Sequence, residues 1–357
     1  MKILTVVGAR PQFIKASVVS REFGMHPSVT EKIIHTGQHY DDNMSELFFT
    51  QMDIPKPYVN LGVNQVNPAM MVGKIMEGVE QQILIEKPHA LIVYGDTNST
   101  LGAALAAVKQ NIKLIHIEAG LRSFNMKMPE ELNRVITDRI SNMLFCPTQI
   151  AMDNLREEGY DGFSSDYFLS GDVMLDATLY YKERALAEET SLGNLLDSDF
   201  ILCTIHRAEN TENDQNLTNI IAAINSMAKE MNVICPLHPR TKQRINGLGL
   251  KTEFTIVEPV GYFEMIRLLD KCKLVVTDSG GLQKESYFHN KMCVCLREET
   301  EWKELEEDGL VIVAGTNPDD ILESVKEALI ASPEFGKNFY GTGMASKFIV
   351  NEILKSI

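Results

Sequence analysis

The stretch KILTVVGARPQFIK (Lys2–Lys15) decides the architecture. Its first six residues are mostly β-branched and apolar, the pattern of a strand covered on both faces. Gly8 and Ala9 then supply a tight turn. Pro11 suits the first turn of a helix, where a missing amide breaks no hydrogen bond. The stretch DFILCTIHRAEN (Asp199–Asn210) repeats the plan, an apolar strand followed by a loop that carries a basic residue.

Outward from these two copies the same alternation continues. EKIIHTG (31–37), ALIVYGD (90–96), KLIHIEAG (113–120) and MLFCP (143–147) follow the first; NVICPLH (232–238), EFTIVEP (253–259), KLVVTDSGG (273–281), MCVCL (292–296) and LVIVAG (310–315) follow the second. Short apolar strands separated by helical patterns predict parallel sheets with helices on both faces. The expected fold is α/β, with two Rossmann-like doubly wound domains at 1–185 and 190–340. The polar stretch 188–199 is the expected linker, and 341–357 a final helix packing back on the first domain.

The 357 residues suit two domains, and 44% hydrophobic residues provide for two cores. The net charge of −15 argues against general affinity for nucleic acid or anionic membranes. The apolar runs are too short to span a bilayer. Met1-Lys2 leads straight into a strand rather than a signal peptide, so a soluble cytoplasmic protein is expected. The six cysteines sit mostly in apolar runs without CxxC spacing and read as reduced, buried residues.

In doubly wound sheets ligands bind beyond the carboxyl ends of the strands, so the residues there carry the functional signal. Arg10 and Lys15 open the first helix and offer cations beside free amides, or else simply solvated charges. Gly8 belongs to no GxGxxG, so the dinucleotide fingerprint is absent. TDSGGLQKES (277–286) is sharper: Ser279, Gly280 and Gly281 open a helix whose amides suit a diphosphate. Glu285, one turn later, could accept both ribose hydroxyls. Asp96 reads equally as a helix N-cap or a functional acid. Glu118 follows a buried run with no helix to cap, while Glu130 and Glu131 follow Pro129 where acids also suit a helix dipole. His206, Arg207 and His238 at strand ends of the second domain suggest an anion site. No metal-binding motif occurs, and neither metal nor cofactor is expected.

Taken in order, GARPQFIK, GQH, GDTNST, IEAGLRS, MPEELNR, TIHRAEN, PLHP and TDSGGLQKE resemble the non-hydrolysing UDP-N-acetylglucosamine 2-epimerase family from Met1 to the last helix. The resemblance implies two Rossmann-like domains in a glycosyltransferase-B arrangement, an interdomain active site and a homodimer. It implies a UDP-sugar substrate, inverted at C2 by anti elimination of UDP to a 2-acetamidoglycal and re-addition. By that resemblance Asp96, Glu118 and Glu130 are the catalytic carboxylates, with His206 and Lys15 beside them. Arg10, Arg207, His238, Ser279, Gly280, Gly281 and Glu285 then serve the UDP-sugar. The sequence assigns neither acid nor base among the carboxylates.

Two departures point within the family. Thr300-Glu301 is followed by Trp302-Lys303, where many members carry Arg-Pro, and the loop after Glu118 has a short RSFN form. The chain looks most like the subgroup acting on UDP-2,3-diacetamido-glucuronate in O-antigen or capsule pathways. In that reading Arg122, Lys127 or Lys303 meets a C6 carboxylate. The alternatives are a hydrolysing epimerase releasing UDP and N-acetylmannosamine, a UDP-sugar glycosyltransferase on the same fold, and a nucleotide-sugar sensor.

Overall fold

The computed structural model describes residues 1–38, 52–64, 66–188, 190 and 192–357. His39 of the GQH motif therefore lies outside the described residues, as do positions 189 and 191 of the polar stretch. The chain forms two compact units, Met1–Leu179 with Asn338–Ile357, and Tyr180–Lys337. The division falls inside the helix Val173–Ala187, ahead of the polar stretch 188–199.

In the first unit, β1 (Lys2–Val7), β2 (Thr30–His35), β3 (Val59–Asn60), β4 (Ala90–Tyr94), β5 (Lys113–Ile117), β6 (Met143–Cys146) and β7 (Asp166–Leu169) form one parallel sheet. Its order is β3-β2-β1-β4-β5-β6-β7. Growth of the sheet reverses between β1 and β4, so their carboxyl ends open a crevice. Leu4, Val6, Leu91 and Val93 point to one face and pack on Ile75 and Val79 of the helix Pro68–Glu86 and Ala103 and Ala106 of the helix Asn98–Lys109. Every β4 residue is buried, which is why ALIVY carries no polar alternation.

The last helix, Ala345–Ser356, belongs to this unit and packs on the helix Arg10–Gly24. Its free amides are capped from a distance in sequence. Asp176 accepts from Ala345 N at 3.1 Å, Ser346 N at 2.7 Å and Ser346 Oγ at 2.6 Å.

The second unit repeats the order. β8 (Phe200–Thr204), β9 (Asn232–Pro236), β10 (Thr255–Val257), β11 (Leu274–Thr277), β12 (Cys293–Cys295) and β13 (Val311–Val313) lie parallel as β10-β9-β8-β11-β12-β13. Its switch point falls between β8 and β11, the strands that end at His206 and Asp278. Cys203, Cys235, Val276 and Val294 share a core with Ile220 and Ile224 of the helix Asp214–Ala228. All six cysteines are free and buried.

Candidate active site

In the first unit the switch point is fastened by Gln12. Its Oε1 accepts from Gly8 N at 2.8 Å and Ala9 N at 3.0 Å. Its Nε2 donates to Tyr94 O at 2.8 Å and to the hydroxyls of Thr97 and Thr100, both at 3.0 Å. One buried side chain thus binds the β1 and β4 ends together. Gly8 is obligatory here, since a Cβ would stand 2.1 Å from Thr36 Oγ1 and 2.2 Å from Ser99 Oγ.

Lys15, one turn into the helix Arg10–Gly24, reaches Glu118 just past β5, and both side chains are over nine-tenths buried. A buried ion pair survives only where its geometry repays desolvation. Gly95 provides that room: a Cβ there would lie 2.9 Å from Glu118 Oε2 and 3.4 Å from Lys15 Nζ. Glu118 adopts φ +71°, a region rare for side-chain-bearing residues and frequent at functional sites. The turn is enforced by Phe145 O, which accepts from both Glu118 N and Ala119 N at 3.0 Å.

Asp96 follows Gly95 and is not the helix cap; Thr97 caps the helix Asn98–Lys109 instead. The Asp96 carboxylate pairs with Arg134, whose NH1 also lies 3.1 Å from Glu131 Oε2. Asn133 Nδ2 donates to Asp96 O at 2.9 Å. The β4 end is therefore tied to the helix Pro129–Ile140, which carries both glutamates.

Those glutamates have different surroundings. Glu131 is buried and accepts from Ser123 N at 2.9 Å, Ser123 Oγ at 3.0 Å and Phe124 N at 2.9 Å. It fixes the loop, including Phe124 at φ +60°. Glu130 is half-buried, and its carboxylate meets no donor among the described residues.

Arg122 is turned inward, with Nε and NH2 bound to Glu158 at 2.6 and 2.7 Å. Its NH1 donates to Leu121 O and Asp138 Oδ2, both at 2.7 Å. Four of its five N–H groups are thereby engaged within the protein, and its side chain is 1% exposed. Burial pushes the Asp138 carboxyl up, but His116 and Arg122 outweigh it and bring the group below its usual range. Lys127 is exposed, and Lys303 pairs with Glu306 at 2.7 Å.

In the second unit Asp278, fully buried at the end of β11, organises the turn after β8. It accepts from His206 N at 3.1 Å, Arg207 N at 3.0 Å and Asn210 Nδ2 at 3.2 Å. His206 Nδ1 lies 3.3 Å from Asp278 Oδ1, and the ring is more than half exposed. Ser279 caps the helix Gly280–Phe288 by accepting from Leu282 N at 3.4 Å. A Cβ on Gly281 would stand 4.0 Å from both Ser279 Oγ and Glu285 Oε2, so those groups border the helix start together. A helix N-terminus of this kind attracts phosphate. Behind it, Trp302 Nε1 donates to Gly280 O at 2.8 Å, and the Lys284 ammonium lies 4.4 Å from the Trp302 ring centre. His238 stands apart as an N-cap, its Nδ1 accepting from Arg240 N at 3.2 Å. A groove lined by Thr211, Glu212, Arg240 and Arg244 includes none of these groups.

Gln12, Arg134, Asp138, Asn210 and Asp278 escaped the sequence reading as functional side chains. Gln12, Arg134, Asn210 and Asp278 lie inside motifs already noted; Asp138 has no local signal.

A family model described as UDP-N-acetylglucosamine 2-epimerase matches residues 21–354. The chain belongs to the UDP-N-acetylglucosamine 2-epimerase family. Its members are isomerases. A UDP-2,3-diacetamido-2,3-dideoxy-D-glucuronate 2-epimerase of Pseudomonas aeruginosa is 48% identical, covering 99% of this chain and 100% of the relative. A UDP-N-acetylglucosamine 2-epimerase of Methanocaldococcus jannaschii is 38% identical over 98% of each chain. The solved M. jannaschii epimerase in complex with UDP-GlcNAc and UDP matches at TM-score 0.93 and 37% identity over all of both chains. The Neisseria meningitidis epimerase bound to UDP-GlcNAc matches at TM-score 0.89 and 31% identity, again over all of both chains.

Proposed function

We propose that this epimerase inverts C2 of a UDP-linked 2-acetamido sugar without hydrolysing it. The observation that carries the reading is the joining of three acid-bearing segments in the first unit. Glu118 lies against Gly95 and Lys15, Asp96 follows Gly95, and Arg134 ties Asp96 to the turn bearing Glu130.

The C2–H bond has no neighbouring carbonyl, so its acidity must come from departure of UDP at C1. A carboxylate takes the C2 proton while the C1–O bond to UDP breaks and the C1–C2 double bond forms. UDP then re-adds at C1 through its β-phosphate oxygen, and a carboxylic acid returns a proton to the opposite face of C2. Asp96, Glu118 and Glu130 supply the acid–base groups, a role worth about 10²–10⁴-fold. Lys15, Arg10 and His206 offset the charge gathering on the departing diphosphate. Ser279, Gly280 and Gly281 bind that diphosphate, and Glu285 binds the ribose hydroxyls.

The substrate we favour is the UDP-2,3-diacetamido-glucuronate for which the P. aeruginosa relative is named, and the role we favour for this chain is surface-polysaccharide precursor synthesis. With Arg122 sequestered, its carboxylate would meet Lys127 or Lys303. We place the enzyme in the cytoplasm as a homodimer. No helix of the described residues is long and apolar enough to cross a membrane.

The test is incubation in D2O with this donor and with UDP-GlcNAc, followed by NMR. Deuterium at C2 and the manno epimer are expected. Irreversible release of UDP would indicate the hydrolysing reaction, and no exchange with either donor would refute epimerisation.

A further inference from the structure

We propose that His116 and Asp138 form a positioning pair that fixes the two backbone segments carrying Asp96 and Glu118. The proposal rests on the epimerase reading and adds residues that never touch the substrate. His116 lies in β5 with no solvent exposure, and both ring nitrogens face acceptors. Nε2 is 2.7 Å from Gly95 O and Nδ1 is 2.6 Å from Asp138 Oδ1. A carbonyl oxygen and a carboxylate cannot donate, so the ring donates twice and carries a positive charge.

Asp138, on the helix Pro129–Ile140, completes the clamp. Its second oxygen accepts from Gly120 N at 3.0 Å, two residues beyond Glu118. A single carboxylate thereby connects the carbonyl preceding Asp96, through His116, to the turn following Glu118. The position matters because Gly95 is the residue against which Glu118 and Lys15 pack. Arg122 and Glu158 close the series, so two cations alternate with two anions in a row that runs from the buried His116 to the exposed Glu158. Such networks are stiff when fully satisfied and costly when one member is removed.

The pair acts on the placement of the acids, and so on kcat rather than on binding of the UDP portion, whose proposed ligands Ser279, Gly280, Gly281 and Glu285 lie in the second unit. Small misplacement of reacting groups costs as much as about 10²-fold in rate. The variants are His116→Asn, His116→Gln and Asp138→Asn in the full chain, with melting temperature, kcat, KM and C2 deuterium exchange measured on each. We expect folded variants to lose roughly tenfold or more in kcat with KM changed less than about threefold. His116→Gln, with the longer reach to Gly95 O, should recover part of the loss.

Folded variants with wild-type kcat, or KM rising in step with the loss of kcat, would overturn the proposal. If the variants fail to fold, the wild-type protein decides through its ¹⁵N–¹H spectrum. Two ring N–H signals from His116 support the clamp, and a single one overturns it. Failure of the wild type to exchange deuterium at C2 would instead defeat the epimerase reading.

Discussion

Lys15 and Glu118 meet as a buried ion pair although one belongs to the helix after β1 and the other to the turn after β5. The contact spans the crevice where the first sheet reverses, and it sets a cation against the Glu118 carboxylate in a buried setting. Replacing Lys15 by Met should remove that cation. We expect kcat to fall by about 10²–10⁴-fold, with a parallel loss of C2 deuterium exchange. Glu118→Gln should lose a similar factor while melting near the wild type. Retention of exchange by Glu118→Gln would remove it from the acid–base set.

Two neighbouring glutamates should respond in opposite ways. Glu130 has no donor among the described residues and serves as an acid–base group in the proposed reaction, so Glu130→Gln should cost about 10²–10⁴-fold in kcat with little change in melting. Glu131 holds Ser123, Phe124 and Arg134, so Glu131→Gln leaves buried donors facing an amide. Its expected effect is a stability loss of about 1–3 kcal/mol, measured by denaturant unfolding.

The contrast marks what was legible in the sequence. The inner strands of both sheets were readable because each is a short apolar run, whereas the edge strands β3 and β7 were not, since VN is only two residues long and DYFL opens on a charge and is only partly buried. Asp96 and Glu118 stood out as candidates because strand ends are where such folds place chemistry, and Glu130 because it follows Pro129 at a helix start. The direction of Arg122 was not readable, since sequence pattern reports a charge but not its burial, and its partners Asp138 and Glu158 lie one and two helices away. Asp138 itself sits near the end of an ordinary amphipathic helix, with nothing local to single it out. The unit division inside Val173–Ala187 is also silent, because the helical pattern continues through it.

The glycine pair at the second helix start makes a separate prediction. A Cβ on Gly280 would stand 2.2 Å from Glu301 Oε1, and that carboxylate is held by Arg297 NH1 at 2.7 Å. Gly280→Ala should therefore cost about 1–3 kcal/mol of stability. Gly281→Ala fits the fold but projects into the approach to the helix amides, so it should keep its melting temperature and weaken UDP binding. Trp302 is the chain's only tryptophan and donates to Gly280 O, which makes its fluorescence a direct readout. UDP should shift that signal in the wild type and in Gly281→Ala only at higher concentration.

His289 gives the acid limb of stability. Burial, reinforced by nearby Lys182 and Lys291, outweighs Asp270 and pushes its imidazole down from 6.5 to about 4. The unfolded chain binds a proton through that interval and the native protein does not. The contribution is therefore complete above pH 6.5 and is lost as pH falls toward 4, by about 3 kcal/mol at most. Glu31 and Asp176, both raised by burial, oppose this slope in the same protein. They cancel when His289→Gln is compared with the wild type at each pH. Urea unfolding between pH 7 and pH 4.5 should show the wild type losing stability relative to the variant as acid is added; parallel curves would show that His289 titrates normally in the fold.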